Sequence, residues 1–300
     1  MTTRRKVALG AAVLLILAIA LAVAFPSQGR NEDFKPADEF KLHPILLLKV
    51  GGLDLSINKA VIYVWLACAL TTITIVFIAR RMQATPNRVQ TAVEAAYDLA
   101  RNNIAFGNMD PAMAAKWFSF VGTLFLFIWF SNMIGYIPLP LNQGHETHIF
   151  GLEIPSIAIY AATANLSIPL TLALVVWFSY HLEGIRAKGG AGYLKSWIPA
   201  GVSGAAAVPI FAIEVISHFV RIISLSVRLY ANMLAGHLLI LFMAGGLAVI
   251  LGLAAIGVFT LPVAVLFFLF EVVLIATLQA FIIATLTAIY LGEATAAEGH

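Results

Sequence analysis

Residues 205–245 read AAAVPIFAIEVISHFVRIISLSVRLYANMLAGHLLILFMAG. The run is about twice the roughly 20 apolar residues that one membrane span takes at 1.5 Å each. It therefore reads as a strongly tilted helix or a span with an extension. Within it stand Glu214, His218, Arg221, Arg228, Asn232 and His237. A charge at mid-membrane costs from about 2.5 to more than 10 kcal/mol, depending on the scale, so such side chains face a protein interior or a water path. At 100° per residue, Glu214, Arg221, Arg228 and Asn232 fall within about 40° of one another, with Ser217 and Ser224 beside them. One edge of this helix is polar through most of its length.

The rest of the chain is equally apolar. Hydrophobic residues make up 61% and charged residues 11% of the 300, against about 25% charged in a soluble domain. A soluble fold of this size cannot hide so many apolar side chains. The reading is an all-α, polytopic membrane protein. Further spans are predicted at Val7–Phe25, Ala60–Ala79, Trp117–Ile137, Ile157–Tyr180 and Leu247–Leu291, which makes about five core helices, the last two overlong. The net charge of +3 implies no nucleic acid. The single cysteine, Cys68, is read as a small packing residue.

Arg4-Arg5-Lys6, the apolar stretch Val7–Val23 and the small residues Ala22-Val23-Ala24 have the form of a secretory signal. Residues 1–25 are thus a signal peptide or an extra helix. The segment 26–59 lies outside, the channel domain covers 60–292 and a cytoplasmic tail covers 293–300. Arg80-Arg81 closes the second span on the inside, and the loop 138–156 holds no Lys or Arg, as an outside loop should. Segment 26–59 strains this scheme with five basic residues, balanced by Glu32, Asp33, Asp38, Glu39 and Asp54. Thr85-Pro86 is read as the start of an amphipathic surface helix bearing Val89, Val93, Ala96 and Ala100 on one face.

Depth orders the buried polar groups. Glu214 lies about 21 Å to the cytoplasmic side of Arg228, and His237 about 13 Å to the outer side. The last helix runs the other way, so Gln279 falls near mid-depth and Glu271 nearer the outside. Glu214 and His218 share one half, His237 and Glu271 the other, and Arg228 divides them. Titratable groups on each side of a guanidinium that keeps its proton suggest two half-channels and a barrier. The bland reading is a set of polar networks that only join helices. It fits a lone His or Gln better than it fits Arg228, which has no acid in its own turn or the next. Arg221 has Glu214 seven residues away, which is not a facing spacing. His43, His145, His148 and His181 are read as interface or loop residues, and no metal or cofactor is expected.

Ser224-Leu225-Ser226-Val227-Arg228-Leu229-Tyr230-Ala231-Asn232-Met233-Leu234-Ala235-Gly236-His237 resembles the signature of subunit a of F-type ATP synthases. Leu278-Gln279-Ala280-Phe281 with Leu286-Thr287-Ala288-Ile289-Tyr290-Leu291 resembles the family's final helix. Ser131-Asn132-Met133-Ile134-Gly135 and Ala164-Asn165-Leu166 resemble weaker motifs of its middle helices. The likeness runs from about residue 40 to 292. It implies a proton-translocating stator subunit with no nucleotide site. Arg228 would face the carboxylates of a rotating c-ring, and Asn232 and Gln279 would neighbour it. His237 and Glu271 would serve the outer half-channel and Glu214 the inner. Implied partners are the c-ring, b-type peripheral stalk subunits, the soluble ATPase sector indirectly, and membrane lipid. The implied location is a bacterial plasma membrane or an equivalent energy-transducing membrane. Two features depart from the family. Bacterial relatives often carry Glu at the His237 position. Glu271 precedes Gln279 by eight residues rather than seven, which turns it by about 100°.

Two other classes fit less well. A stand-alone proton-coupled secondary transporter needs a substrate site at broken helices, and Pro209 and Pro262 stand near the ends of long runs. A haem-binding redox subunit needs paired histidines on facing helices, and His181, His218 and His237 form no obvious pair.

Overall fold

The chain begins in α1 (Thr3–Ala24), followed by short strands β1 (Pro44–Leu46), β2 (Lys49–Val50), β3 (Leu53–Asp54) and β4 (Ile57–Asn58), which pair antiparallel as β1–β4 and β2–β3. Next come α2 (Lys59–Arg81), α3 (Arg88–Asp98), a π-helical segment Leu99–Ala105, α4 (Phe106–Asn108) and α5 (Pro111–Ile134). An antiparallel hairpin, β5 (Leu139–Ile149) and β6 (Leu152–Ala158), leads to α6 (Ser167–Lys188) and α7 (Gly190–Lys195). The chain ends with α8 (Ala207–Leu241), a π-helical segment Phe242–Gly246, α9 (Leu247–Leu251), α10 (Ala254–Phe270), a π-helical segment Glu271–Ile275 and α11 (Ala276–Thr295). This computed structural model describes residues 3–24, 40–51, 53–83, 85–137, 139–149, 152–158, 160–199, 202, 204–251 and 253–296. Phe25, residues 26–39 of the expected outside segment and residues 297–300 of the expected tail lie outside the described residues.

Among the described residues five helical stretches are long and apolar enough to cross a membrane: Lys59–Ile78, Pro111–Ile134, Ser167–Lys188, Gly204–Gly246 and Ala255–Thr295. The fold is all-α and polytopic, as read from the sequence, and the short strands lie outside these stretches. Local chemistry moves several boundaries. The helix expected from Trp117 opens six residues earlier, because Pro111 suits the first helical position behind Asp110. The span expected from Ile157 begins at Ser167, since Ile157 and Ala158 pair into β6. It closes at Gly189, whose φ of +74° only glycine adopts freely, behind Arg186 and Lys188 in the last turn. The amphipathic helix starts at Arg88, not at Thr85. Asn87 is its cap, and its side chain accepts from the Gln90 amide. The last apolar run divides at Leu253, and Pro262 lies inside α10. Cys68 is exposed rather than packed within the chain.

The chain forms two compact units, each taken by itself. The first holds residues 1–59, 136–160 and 232–275. In it α1 packs against α10, and Lys59 is buried with its ammonium 4.8 Å above the Tyr160 ring.

The second unit holds residues 60–135, 161–231 and 276–300. Here α11 packs against α5 and α6. Its buried positions Ala276, Ala280, Ala284, Thr287, Ala288 and Leu291 recur every three or four residues. Small side chains on that face let helix backbones come close, which is how helices associate in lipid. Asn132 ties the elements together. Its amide donates to the Ala276 carbonyl at 3.3 Å, and its carbonyl accepts from Thr163 at 2.9 Å. Gly135 is required at the end of α5, because a Cβ there would lie 2.7 Å from the Ala161 backbone.

Candidate functional site

The long α8 divides its surface lengthwise. Leu225, Leu229 and Met233 are buried, while Ile216, Val220, Ile223 and Val227 are exposed and apolar. At 100° per residue the stripe of Glu214, Arg221, Arg228 and Asn232 runs along the border between these two faces. Glu214 and Arg228 are half-buried there and Asn232 is exposed. A charge on that border touches the protein's interior while presenting itself outward.

The two arginines of the stripe differ in their partners. Arg221 donates to Glu293 Oε2 at 3.1 Å, and its guanidinium lies 4.5 Å over the Tyr290 ring. The sequence left Glu214 as its only nearby acid, and the structure replaces it with a carboxylate from α11. Arg228 has no hydrogen bond or ion pair among the described residues. Gln279 is buried on α11, and its Oε1 has no hydrogen-bond partner among those residues.

Around Glu214 the second unit builds a polar cavity of about 270 Å³. Tyr180, Trp197, His218, Arg221, Tyr290 and Glu293 are among its lining residues. His218 is buried, and its Nδ1 lies 3.0 Å from the Tyr180 hydroxyl. Its Nε2 stands 3.7 Å from Glu214 Oε1, within ion-pair range but too far for a hydrogen bond. The Trp177 indole donates to the His218 carbonyl at 3.1 Å. His181, read as bland from the sequence, meets His218 edge to face at 4.8 Å between ring centres. Tyr193, on the short α7, closes the cluster 3.4 Å from His181 Nδ1, and burial pushes its hydroxyl up from the ordinary phenol value.

A second cluster lies within the first unit. His237 is 2% exposed, and its Nδ1 donates to the Met233 carbonyl at 2.9 Å. A carbonyl only accepts, so Nδ1 is the protonated nitrogen in this contact. The Tyr136 ring stacks on His237 with centres 4.7 Å apart, and its hydroxyl donates to Glu271 Oε2 at 3.1 Å. Phe268 meets the Tyr136 ring edge to face at 5.7 Å. A Cβ on Gly236 would fall onto the Glu271 carboxyl, with Oε1 at 2.6 Å, so glycine at 236 makes room for that carboxyl. Two expected partners, His237 and Glu271, are thus joined through a residue the sequence did not mark. An apolar run that ends in tyrosine reads as an interface anchor, and nothing in its spacing told otherwise.

The structure thus gathers Glu214 with His218, and His237 with Glu271. Glu271 opens a π-helical segment, where i→i+5 closure takes one residue more than an α turn. The 100° offset from Gln279 expected of an eight-residue spacing assumes a continuous α-helix. That assumption does not hold here.

Residues 61–292 match the protein family described as "ATP synthase A chain". Proteins named "ATP synthase subunit a" are similar over most of the chain. That of Rubrobacter xylanophilus is 35% identical over 256 residues, 85% of this chain and 90% of its own. That of Paramagnetospirillum magneticum is 32% identical over 268 residues, 86% of this chain and 97% of its own. That of Allorhizobium ampelinum is 31% identical over 268 residues, 88% of this chain and 98% of its own.

Proposed function

This chain belongs to the ATP synthase A chain family, and on that premise we propose that it carries protons through two half-channels past the carboxylates of a rotating ring. It is a non-catalytic membrane-sector subunit of the ATP synthase complex and an integral membrane protein. The Glu214–His218 cavity is the inner half-channel, with the cytoplasm beyond it. The Tyr136–His237–Glu271 cluster belongs to the outer one. Arg228 separates them and faces the ring carboxylate, with Asn232 and Gln279 as its polar surroundings. The exposed apolar face of α8 lies against the ring, and b-type stalk subunits hold the chain as part of the stator. The C-terminus is cytoplasmic.

One observation carries this reading above the others. Of the two arginines in the α8 stripe, Arg221 has a carboxylate and an aromatic partner, and Arg228 has neither hydrogen bond nor ion pair among the described residues. A half-buried guanidinium on an exposed border fits a counter-charge supplied by another subunit. Beside a passing carboxylic acid it favours the ionised form and so draws the proton off. Its own proton does not leave, so a proton does not cross directly.

The test is ATP-driven acidification of inverted vesicles. Arg228→Ala removes an insertion penalty of at least about 2.5 kcal/mol, so the complex assembles. Pumping is lost because the ring carboxylate has no charge to release against. Arg228→Lys does not restore full activity, since a buried ammonium loses its proton far more readily than a guanidinium. Near-normal pumping by an assembled Arg228→Ala complex overturns the mechanism.

A further inference from the structure

We propose that Tyr136 is a positioning residue of the outer proton path, holding the Glu271 carboxyl and the His237 ring in one register. The inference rests on the half-channel reading above and adds a residue to it. Three observations carry it. Tyr136, in the turn two residues past α5, is 4% exposed, with its ring stacked on His237 and meeting Phe268 edge to face. Its hydroxyl donates to Oε2 of Glu271 at 3.1 Å. The same carboxyl occupies the space beside Gly236 that any other side chain would fill. The carboxyl is therefore fixed from two sides, by a phenol and by a bare stretch of α8 backbone.

The consequence is chemical. A phenol donating to Oε2 occupies one of that oxygen's two lone pairs and lowers its proton affinity, so a proton arriving from the outer water binds preferentially at Oε1. His237 is held in the same way. Its Nδ1–H donates to the Met233 carbonyl, which fixes the ring's orientation. Tyr136 thus biases which oxygen of Glu271 takes the proton and holds the imidazole stacked on its own ring, the two planes 27° apart. It need not exchange a proton itself. Among the described residues, the titratable group in contact with Glu271 is Tyr136, and His237 lies against the Tyr136 ring. The helix packed on α10, α1, carries no titratable group between Val7 and Ala24.

The experiment uses the whole complex in proteoliposomes, with ATP synthesis followed against outer-side pH at fixed inner pH and voltage. Tyr136→Phe keeps the ring and its stacking and removes only the O–H. A carboxylate that loses a donor holds its proton to higher pH. The outer-side midpoint is therefore expected to move alkaline by roughly one pH unit, the scale of one hydrogen bond to a charged group. The inner-side midpoint stays. An assembled Tyr136→Phe complex with the wild-type outer-side profile overturns the proposal. Should that variant not assemble, difluorotyrosine at position 136 decides the matter. It keeps the contact and strengthens the donor, so the midpoint moves acid, and an unmoved midpoint overturns the role. Glu271→Gln separates the two levels. If it leaves the outer-side profile unchanged, the half-channel reading fails. If it alters the profile and Tyr136→Phe does not, only the role of Tyr136 fails. In the Glu271→Gln background, Tyr136→Phe is expected to add no further shift, and an added shift of the original size overturns action through Glu271.

Discussion

Arg221 on α8 donates to Glu293 on α11 at 3.1 Å, and this pair separates the two arginines of the stripe by role. Its side chains keep 23% and 54% of their exposure, so water screens the attraction. Such pairs contribute about 0–1 kcal/mol. Glu293→Gln is therefore expected to leave assembly and pumping near the wild-type level. Arg221→Ala also loses the contact over Tyr290, worth about 0.5–1 kcal/mol at an exposed site, and should stay active at a reduced rate. Both are read by the vesicle assay used for Arg228. Loss of pumping in Glu293→Gln as complete as in Arg228→Ala would show that the pair carries part of the barrier.

Gly135→Ala tests the packing that closes α5. The added methyl would lie 2.7 Å from the Ala161 Cα, and backbone cannot swing aside as a side chain can. Overpacking of this kind costs about 1–3 kcal/mol. We expect less assembled complex and a lower unfolding temperature in detergent, while Gly190→Ala, with open space around it, changes neither. Equal thermal stability of the two variants would contradict the close approach of α5 to Ala161.

How far the sequence could be read depended on the helix type. The polar stripe of α8 emerged from a 100° count because the helix is continuous from Ala207 to Leu241. The same count misjudged Glu271, because a π-helical segment leaves no mark in an apolar run. Ile157 and Ala158 looked like the start of a span, since apolar residues do not reveal by themselves whether they pair as a strand. Glu293 was placed in a polar tail, yet α11 continues to Thr295 and brings it to Arg221. Tyr136 and Tyr180 went unmarked because a tyrosine among apolar residues looks the same whether it packs, anchors or donates. Glu214, His218, Arg228, His237 and Glu271 were legible because charge in lipid is costly.

The Lys/Arg asymmetry predicts that the β5–β6 hairpin lies outside and the end of α11 in the cytoplasm. Cysteines placed at Gln143 and Ala296, in a Cys68→Ser background, are expected to react from opposite sides with an impermeant thiol reagent. Reaction from one side only would overturn the topology. N-terminal sequencing of the same preparations should find a mature chain starting near Phe25. A chain starting at Met1 or Thr2 would make α1 a retained helix.

The π-helical segment Glu271–Ile275 offers the strictest test of how the last helix is spaced. An eight-residue interval from Glu271 to Gln279 that contains one i→i+5 turn holds one residue more than the same interval in α-helix. Removing one residue from the segment should let it close as an ordinary α turn at a spacing of seven. Val273 is the residue to delete, since it is 69% exposed and gives up little packing. Deleting Leu278, 42% exposed in the regular α11, removes a residue where no excess exists and turns everything beyond it by about 100°. That turn carries Gln279 and the small-residue face away from their contacts. The expectation is that the Val273 deletion assembles and still pumps measurably, whereas the Leu278 deletion does neither. The check is ATP-driven acidification normalised to assembled complex. If both deletions fail alike, the extra residue in the π-helical segment is not what sets the spacing between Glu271 and Gln279.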